Sequence, residues 1–255
     1  MSSWERLAAF EGGTISGLAT ARASDGTVRV FAATPVGVFQ SDDGGRRWRP
    51  PGADSAVAGV EVVAPSPRYA EDGTVFAGAR DGLLRWQDTG GGWTHLLAGS
   101  RVLSLAVLPG DGSHVTLLAG TEDDGILVSR DDGRAWAGAN PGLLDLTILA
   151  LAVSPGFARD GLAFAATSSG LYRTRNGAES WRQIELDWED AAIQCLALSP
   201  GFAEDRLILA GTEEYGLLRS DDAGRTWEQA RALEGRSVNG IAFITAEQVV
   251  AATAR

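Results

Sequence analysis

The sequence predicts an all-β fold, a single six-bladed β-propeller of four-stranded antiparallel blades. Three observations predict it. A short turn motif recurs roughly every 45 residues, strand-like runs recur in a fixed order between its copies, and 255 residues suit one large domain. A period in this range is the length of one four-stranded blade. The alternative that the pattern leaves open is five blades plus flanking strands.

The turn motif has the pattern Ser/Thr-x-Asp-x-Gly-x-x-Trp, and successive first positions lie 45, 43, 45 and 46 residues apart. The hydroxyl and the carboxylate can accept hydrogen bonds from N–H groups of the turn, and glycine supplies a positive φ. The tryptophan then starts the next strand as a bulky anchor against the neighbouring blade. The five copies are Ser41, Asp43, Gly45 and Trp48; a worn copy with Trp86, Asp88, Gly90 and Trp93; Ser129, Asp131, Gly133 and Trp136; Thr174, Asn176, Ala178 and Trp181; and Ser220, Asp222, Gly224 and Trp227.

Four kinds of strand-like run, which we call a, b, c and d, follow one another in each unit. The a runs are rich in Val, Ile and Leu and lie at 15–21, 60–64, 102–108, 148–153, 193–198 and 238–244. The b runs lie at 28–33, 74–79, 115–120, 162–167, 207–212 and 249–253. The c runs begin at Gly37, Gly82, Gly125, Gly170 and Gly216 and lead into the motif. The d runs start at the five motif tryptophans, and residues 4–10 predict a sixth.

The connection between runs a and b also repeats, as Ser-Pro-x-(Tyr/Phe)-Ala-x-Asp at 66–72, 154–160 and 199–205. Proline ends the first strand because it has no N–H to donate to the sheet. The aromatic ring is expected to cover the core beneath the turn.

The two ends of the chain are predicted to complete one blade together. The repeat units are then 15–59, 60–101, 102–147, 148–192, 193–237, and 238–255 with 1–14, in one domain. Such closure removes exposed strand edges. Run c of the last blade is missing, and three explanations stay open: the sequence stops before it, the blade is naturally three-stranded, or a partner donates the strand.

At these motif residues the chain resembles the Asp-box, or bacterial neuraminidase repeat, propellers. That family includes sialidases, xyloglucan-active glycoside hydrolases, the sortilin luminal domain and photosystem II assembly factors. The resemblance covers nearly the whole chain and implies the propeller fold. In the family the motif acts as a structural hairpin clasp away from catalytic centres, so the resemblance implies folding roles and no catalytic residue.

Composition narrows the class of partner. The formal net charge of −11 argues against nucleic acid or an anionic membrane surface, since both need a basic surface. A protein or carbohydrate partner and no cofactor are expected. Residues 1–10 lack the apolar core of a signal peptide, and no apolar run is long enough to span a membrane. A cytoplasmic protein is therefore expected, or a secreted one if a leader was removed.

The candidate binding residues lie between runs b and c and between runs d and a, connections that share one face of a propeller. Trp188 can stack there on a sugar or a cationic side chain. Two facing carboxylates would suit a glycosidase. The favoured interpretation is a solvated acidic surface that keeps the domain soluble. The acids on these connections are Asp123, Asp124, Asp187, Glu189, Asp190, Glu213 and Glu214.

The tyrosines, the histidines and the single cysteine do not predict a catalytic or metal site. Tyr69, Tyr172 and Tyr215 lack the arginine and glutamate context of a sialidase nucleophile. His95 and His114 are interpreted as ordinary surface or edge histidines, and with Cys195 they lack zinc-ligand spacing, so no metal is expected. Cys195 has no basic neighbour and is interpreted as a buried structural thiol.

The predicted function is a non-catalytic binding or assembly scaffold that presents loops and a central channel to a protein or small ligand. The compact chain lacks the long aromatic and acidic insertions that glycosidases of this type carry. The alternative is a carbohydrate-active enzyme or a sugar-binding protein.

Overall fold

A computed structural model describes residues 10, 13–52, 57–88, 92–112, 114–188 and 191–254. In these ranges the strands form six antiparallel sheets of three, four, four, four, four and two strands, each ordered along the chain. The chain divides into two compact units, residues 1–119 with 129–136 and residues 120–128 with 137–255. No helix of the described ranges is long and apolar enough to cross a membrane.

The first unit contains two complete sheets and much of a third. The first sheet is β1 (Gly17–Arg22), β2 (Val28–Thr34) and β3 (Gly37–Ser41). The second is β4 (Val60–Pro65), β5 (Thr74–Ala79), β6 (Gly82–Gln87) and β7 (Thr94–Ala98), with the helical turn α1 (Tyr69–Asp72) between β4 and β5. The third sheet begins with β8 (Val102–Pro109) and β9 (Val115–Thr121).

The second unit contains the rest of the third sheet, β10 (Ile126–Ser129) and β11 (Ala137–Gly138). The fourth sheet is β12 (Ile148–Val153), α2 (Phe157–Asp160), β13 (Ala163–Thr167), β14 (Gly170–Thr174) and β15 (Arg182–Ile184). The fifth is β16 (Ile193–Leu198), α3 (Phe202–Asp205), β17 (Ile208–Thr212), β18 (Leu217–Ser220) and β19 (Glu228–Ala230), followed by a 3₁₀ turn (Arg231–Leu233). The last sheet is β20 (Ser237–Phe243) and β21 (Val249–Ala254).

Five sheets match the predicted blades, and the last is a two-stranded sheet made of the predicted runs a and b. In the first blade, run d is reduced to a bridge between Gln40 and Arg49. The predicted strand at 4–10 lies outside the described residues except for Phe10, whose ring packs edge-on against Phe39 and Trp48, with 5.3 Å between centroids in each pair. The described fold is therefore five blades and a terminal two-stranded sheet.

The b strands β5, β13 and β17 form the centre of their cores because each is buried along its whole length. All residues of β5 and β13 are buried, which suits their continuous run of small and apolar side chains. In the first unit, Phe31 and Val75 belong to a cluster between the first two sheets. In the second unit, Phe164 and Ile208 belong to the corresponding cluster between the fourth and fifth sheets.

The repeated a-to-b connections form one-turn helices instead of plain turns. In each, the serine hydroxyl donates to the final aspartate, for example Ser66 Oγ to Asp72 Oδ2 at 2.7 Å. The same aspartate accepts the N–H of the next strand, as Asp72 Oδ1 does from Thr74 at 2.8 Å. Tyr69 and Phe202 are buried in the cores of their units, as predicted for the aromatic position, whereas Phe157 of the second such connection is only half-buried.

Four of the five turn motifs form one common clasp. In the third, Ser129 Oγ donates to Asp131 Oδ1 at 2.8 Å and accepts the N–H of Gly133 at 2.9 Å. Asp131 Oδ1 also accepts the N–H groups of Arg134 and Ala135, at 3.1 and 2.9 Å. Each clasp satisfies turn N–H groups that no strand can pair. Equivalent bonds join Ser41 to Asp43, Thr174 to Asn176 and Ser220 to Asp222.

The clasp also sets the acidity of its carboxylates. Hydrogen bonds from turn N–H groups and from the serine lower the pKa of Asp43 and Asp131. At Asp222 burial raises the pKa, but bonds from Thr226, Ser220 and the N–H of Arg225 outweigh it and lower the pKa to about 2. These carboxylates are ionised at neutral pH and serve as acceptors within the turn.

Two of the motif tryptophans anchor a blade to the one before it by a hydrogen bond from the indole. Trp136 Nε1 donates to Leu96 O at 2.9 Å, and Trp181 Nε1 donates to Ala139 O at 2.8 Å. This is the role predicted from the pattern. Trp48 differs, because its Nε1 donates to Gly45 O in its own turn at 2.9 Å.

The second motif, which departs from the consensus, contributes its aspartate to an ion pair between blades. Asp88 Oδ2 accepts a hydrogen bond from Arg29 of β2 at 2.9 Å, so the motif carboxylate joins an ion-pair cluster between the first two blades. Arg29 also donates to Tyr69 Oη at 2.6 Å and lies 3.1 Å from Asp42. Tyr69 is thereby committed to an interblade contact.

Candidate functional site

The b-to-c turns and the d-to-a connections meet at one end of the blades, as predicted, and we call this end the loop face of each unit. In the first unit the N–H of Gly59 donates to Pro35 O at 2.8 Å, and the N–H of Arg80 donates to Gly59 O at 3.1 Å. In the second, the N–H of Glu213 donates to Ala192 O at 3.1 Å. Backbone bonds therefore tie each connection to a turn.

In four of the five blades, a buried threonine at the end of the b strand fixes the turn that follows; the b strand β5 ends in Ala79 instead. Thr121 Oγ1 donates to Gly125 O at 2.8 Å, and Thr212 Oγ1 donates to Gly216 O at 2.9 Å. Thr34 and Thr167 make the same bond to Gly37 and Gly170. The four threonines are fully buried, so these turns are held in one geometry before any ligand arrives.

The six predicted binding residues described by the structure all belong to the second unit. Asp123 and Asp124 lie in the β9–β10 turn, Asp187 and Trp188 between β15 and β16, and Glu213 and Glu214 in the β17–β18 turn. The five acids are exposed, and Trp188 is half-buried. The adjacent Glu189 and Asp190 are outside the described residues.

The structure links the two segments that carry four of the six. Trp188 packs against the core that also receives Tyr215, and the bond between Glu213 and Ala192 joins the two segments that carry them. Asp123 and Asp124 sit on a separate turn, where Thr121 Oγ1 accepts the N–H of Asp124 at 2.9 Å. The loop face of the second unit therefore carries two half-buried rings, each next in sequence to an exposed acid: Trp188 after Asp187, and Tyr215 after Glu214.

Tyr215 is the site residue that the sequence analysis left without a role. Its N–H donates to Thr212 Oγ1 at 2.9 Å, and its carbonyl accepts from Gln229 Nε2 at 2.7 Å. The signal in the sequence was an aromatic residue directly after Glu213 and Glu214. Its position against the same core as Trp188 depends on the packing of two segments that are distant in the chain.

Asp145 shows that not every acid on this face is available to a ligand. Its Oδ2 accepts from both Ser168 Oγ, at 2.7 Å, and Ser169 N, at 3.1 Å, and its Oδ1 accepts from Thr147 N at 2.9 Å. Burial raises the pKa of Asp145, but these bonds outweigh it and lower the pKa below its usual value. The carboxylate is a structural tie between a connection and a turn.

The loop face of the first unit has a pocket of about 450 Å³ that the sequence analysis missed. Arg80, Asp81 and His95 line it together with Pro35 and Leu84. His95 is exposed, as predicted, but lies opposite Leu84 across β6 and β7, after a register shift. Because that shift decides which way His95 points, residue spacing alone did not reveal the pocket.

Cys195 and His114, two other reactive residues considered in the sequence, each lie beside a group from another strand or turn. Cys195 Sγ lies 3.4 Å from Val238 O, and burial raises the pKa of its thiol to about 11, so it is protonated at neutral pH. His114 Nδ1 lies 2.5 Å from Asp132 Oδ2. Within the described ranges no three His, Cys, Asp or Glu side chains group closely enough to hold a metal ion.

No family model and no curated protein sequence matches the chain. Solved structures do. The extracellular domain of a hybrid two-component system from B. thetaiotaomicron is 17% identical, with a TM-score of 0.74 over 97% of this chain and 31% of that one. A GH74 enzyme from Niastella koreensis is 18% identical, with a TM-score of 0.70 over 90% and 39%. YCF48 bound to D1 peptide is 16% identical, with a TM-score of 0.64 over 88% and 72%.

These likenesses show the fold alone, an all-β propeller of four-stranded antiparallel blades. The chain spans about a third of the length of the GH74 enzymes and of the two-component-system domain that it resembles. An enzyme and a peptide-binding protein both occur among these similar folds.

Proposed function

We propose that the chain is an Asp-box propeller of six blades that acts as a non-catalytic binding scaffold. Its binding surface is the loop face of the second unit, and its partner is a protein segment that carries basic side chains. The four clasps support membership of the Asp-box family. A cytoplasmic location belongs to the same proposal.

The observation that carries the proposal is that Trp188 and Tyr215 pack against one core, each next in the chain to exposed acids. A half-buried ring offers a rigid apolar face at low entropic cost, and arginine or lysine stacks on such a face. The carboxylates of Asp187, Glu213 and Glu214 attract the same cations and favour their approach.

The compared structures support a protein partner more directly than a sugar. YCF48 was solved with a bound peptide, so a fold of this kind is able to present a peptide-binding surface. The GH74 structures keep glycoside hydrolysis as the competing class.

The test is fluorescence anisotropy with a panel of labelled lysine- and arginine-rich peptides. Trp188→Ala and the double variant Glu213→Gln, Glu214→Gln should each weaken binding about tenfold. Raised salt should weaken binding to the wild type more than to the double variant. The control is Glu204→Gln on α3, an exposed acid away from the loop face, which should leave the affinity unchanged.

Two results would count against the scaffold. Equal affinity of all variants would remove this surface from the proposal. Turnover of a glycoside substrate that disappears in Asp124→Ala or Glu214→Ala would replace the scaffold with an enzyme.

A further inference from the structure

The hairpin between β14 and β15 has a pocket of about 330 Å³ lined by Arg173, Arg175, Asn176, Ser180 and Arg182. It lies at the end of β14 away from the loop face, so it is separate from the proposed binding surface. A three-arginine pocket is notable in a chain whose net charge is −11.

Strand register places the arginines together. Arg173 of β14 lies directly opposite Arg182 of β15 in the antiparallel pair. Arg175 follows two residues after Arg173, at the start of the turn. Like charges placed directly across a strand pair destabilise the sheet. The hairpin therefore gains from any anion that joins the guanidinium groups.

The clasp of this hairpin departs from the others at the position that faces these arginines. Asn176 stands where Asp43, Asp131 and Asp222 supply a carboxylate in the other clasps. Its Oδ1 still accepts from Thr174 Oγ1 at 2.8 Å and from Ser180 N at 3.1 Å. This turn therefore keeps the hydrogen bonds of the other clasps but lacks their negatively charged carboxylate.

The amide also changes what the neighbouring hydroxyl can do. Asn176 Nδ2 donates to Ser180 Oγ at 2.9 Å, so the Ser180 hydroxyl proton is directed away from the amide. In the clasp of the fifth motif the corresponding hydroxyl, that of Thr226, donates to Asp222 Oδ2 at 2.7 Å. The Ser180 hydroxyl can thus donate its proton outside the clasp, whereas the Thr226 hydroxyl donates to the carboxylate of its own clasp.

The positive charge of the three pocket arginines is only weakly compensated by neighbouring acids. Arg173 NH1 donates to the Ala223 carbonyl at 3.2 Å, which positions its guanidinium group. Burial, followed by repulsion from Arg175 and Arg225, lowers the pKa of Arg173, and Asp222 opposes this effect. Across the described part of the chain, Arg173, Arg175 and Arg182 form no ion pair.

We propose that this pocket binds a phosphate-type oxyanion. Guanidinium groups match phosphate oxygens with paired hydrogen bonds, and the Ser180 hydroxyl adds a neutral donor. The pocket volume falls near the lower end of the roughly 300–1,000 Å³ of pockets that hold small organic ligands. The ligand class is therefore a phosphorylated small molecule or free phosphate.

Isothermal titration of the protein with inorganic phosphate and with ribose 5-phosphate, in a phosphate-free buffer, tests the site and separates the two sources. Ribose is the third titrant. Binding of the sugar phosphate about tenfold more tightly than inorganic phosphate assigns a phosphorylated small molecule. Equal affinities assign free phosphate. Absence of heat from both anions up to about 10 mM, or equal binding of ribose, overturns the proposal.

The decisive variant is Asn176→Asp, which introduces the carboxylate that the other clasps already tolerate. It should weaken binding of either anion at least about tenfold, and it should raise the melting temperature without ligand because the carboxylate offsets the three arginines. Arg182→Gln should weaken binding similarly. The matched control Asp131→Asn, in a clasp without this arginine cluster, should leave phosphate binding unchanged. Unaltered affinity in Asn176→Asp would refute the site.

Discussion

Short hydroxyl side chains determine the turns at both ends of the blades. Ser129 and its counterparts close the clasps, and Thr121 and its counterparts close the turns of the loop face. Each of these bonds spans at most four residues, so each turn is specified locally. A buried N–H or C=O left without such a partner costs roughly 1–3 kcal/mol, which explains why these positions carry hydroxyls.

The first prediction concerns Asp222, whose pKa in the folded protein is about 2, below the value of about 3.9 for an unfolded chain. A lowered pKa adds stability that is present above about pH 4 and is lost as the pH falls towards 2. Asp222→Asn should therefore show a smaller loss of unfolding free energy than the wild type over this range. Urea denaturation at a series of pH values measures it.

Ser220→Thr is the matched control, because a threonine occupies this position in the fourth clasp and keeps the donor. Its pH profile should follow that of the wild type. If Asp222→Asn loses as much stability as the wild type between pH 4 and 2, the clasp carboxylate has no part in acid unfolding.

At the scale of the element, the helical turns between a and b strands all end in the same backbone conformation. Each ends with a residue in the left-handed region, Gly73 after α1, Gly161 after α2 and Arg206 after α3. Glycine adopts this conformation without steric cost, whereas a residue with a side chain pays for it. The third turn is therefore the strained member of the set.

The second prediction uses this contrast. Gly161→Ala should lower the unfolding free energy by more than about 1 kcal/mol, because φ is +58° and the new Cβ would lie 2.6 Å from Gly177 N. Arg206→Gly should raise it by about 0.5 kcal/mol, since it relieves a φ of +53°. Guanidinium denaturation compares both with the wild type, and changes of the opposite sign would disprove the argument.

At the scale of the whole molecule, the strand that extends the last sheet decides how many blades the propeller has. Within the described ranges β20 and β21 form a two-stranded sheet, and a pair of strands alone is marginally stable in water. The six-blade proposal assigns residues 4–10 to this sheet. Donation of a strand by a partner is the other way to extend it.

The third prediction is that removal of residues 1–9 lowers the melting temperature by about 2–8 °C, as expected if about 1–2 kcal/mol of strand pairing is lost. Removal of residues 1–3 alone is the control and should have little effect. Differential scanning calorimetry measures both. An unchanged melting temperature after the longer deletion would contradict closure by this segment and leave five blades with a terminal sheet.

The repeat, the blade type and the clasps were determined by the sequence alone, because all depend on residues close together in the chain. Ser129, Asp131 and Gly133 lie within one turn, and the period of the motif sets the length of a blade. The number of complete blades did not follow from the pattern, since weak strands such as the d run after Trp48 reduce to a bridge.

Only the tertiary structure decided which distant side chains meet. Trp188 and Tyr215 share a core because two segments pack together, and Arg29 reaches Asp88 across two blades. His95 enters a pocket through a register shift, and Arg173 faces Arg182 through strand pairing. Local propensities specify turns and strands, whereas side-chain packing and register specify which of their residues form a site.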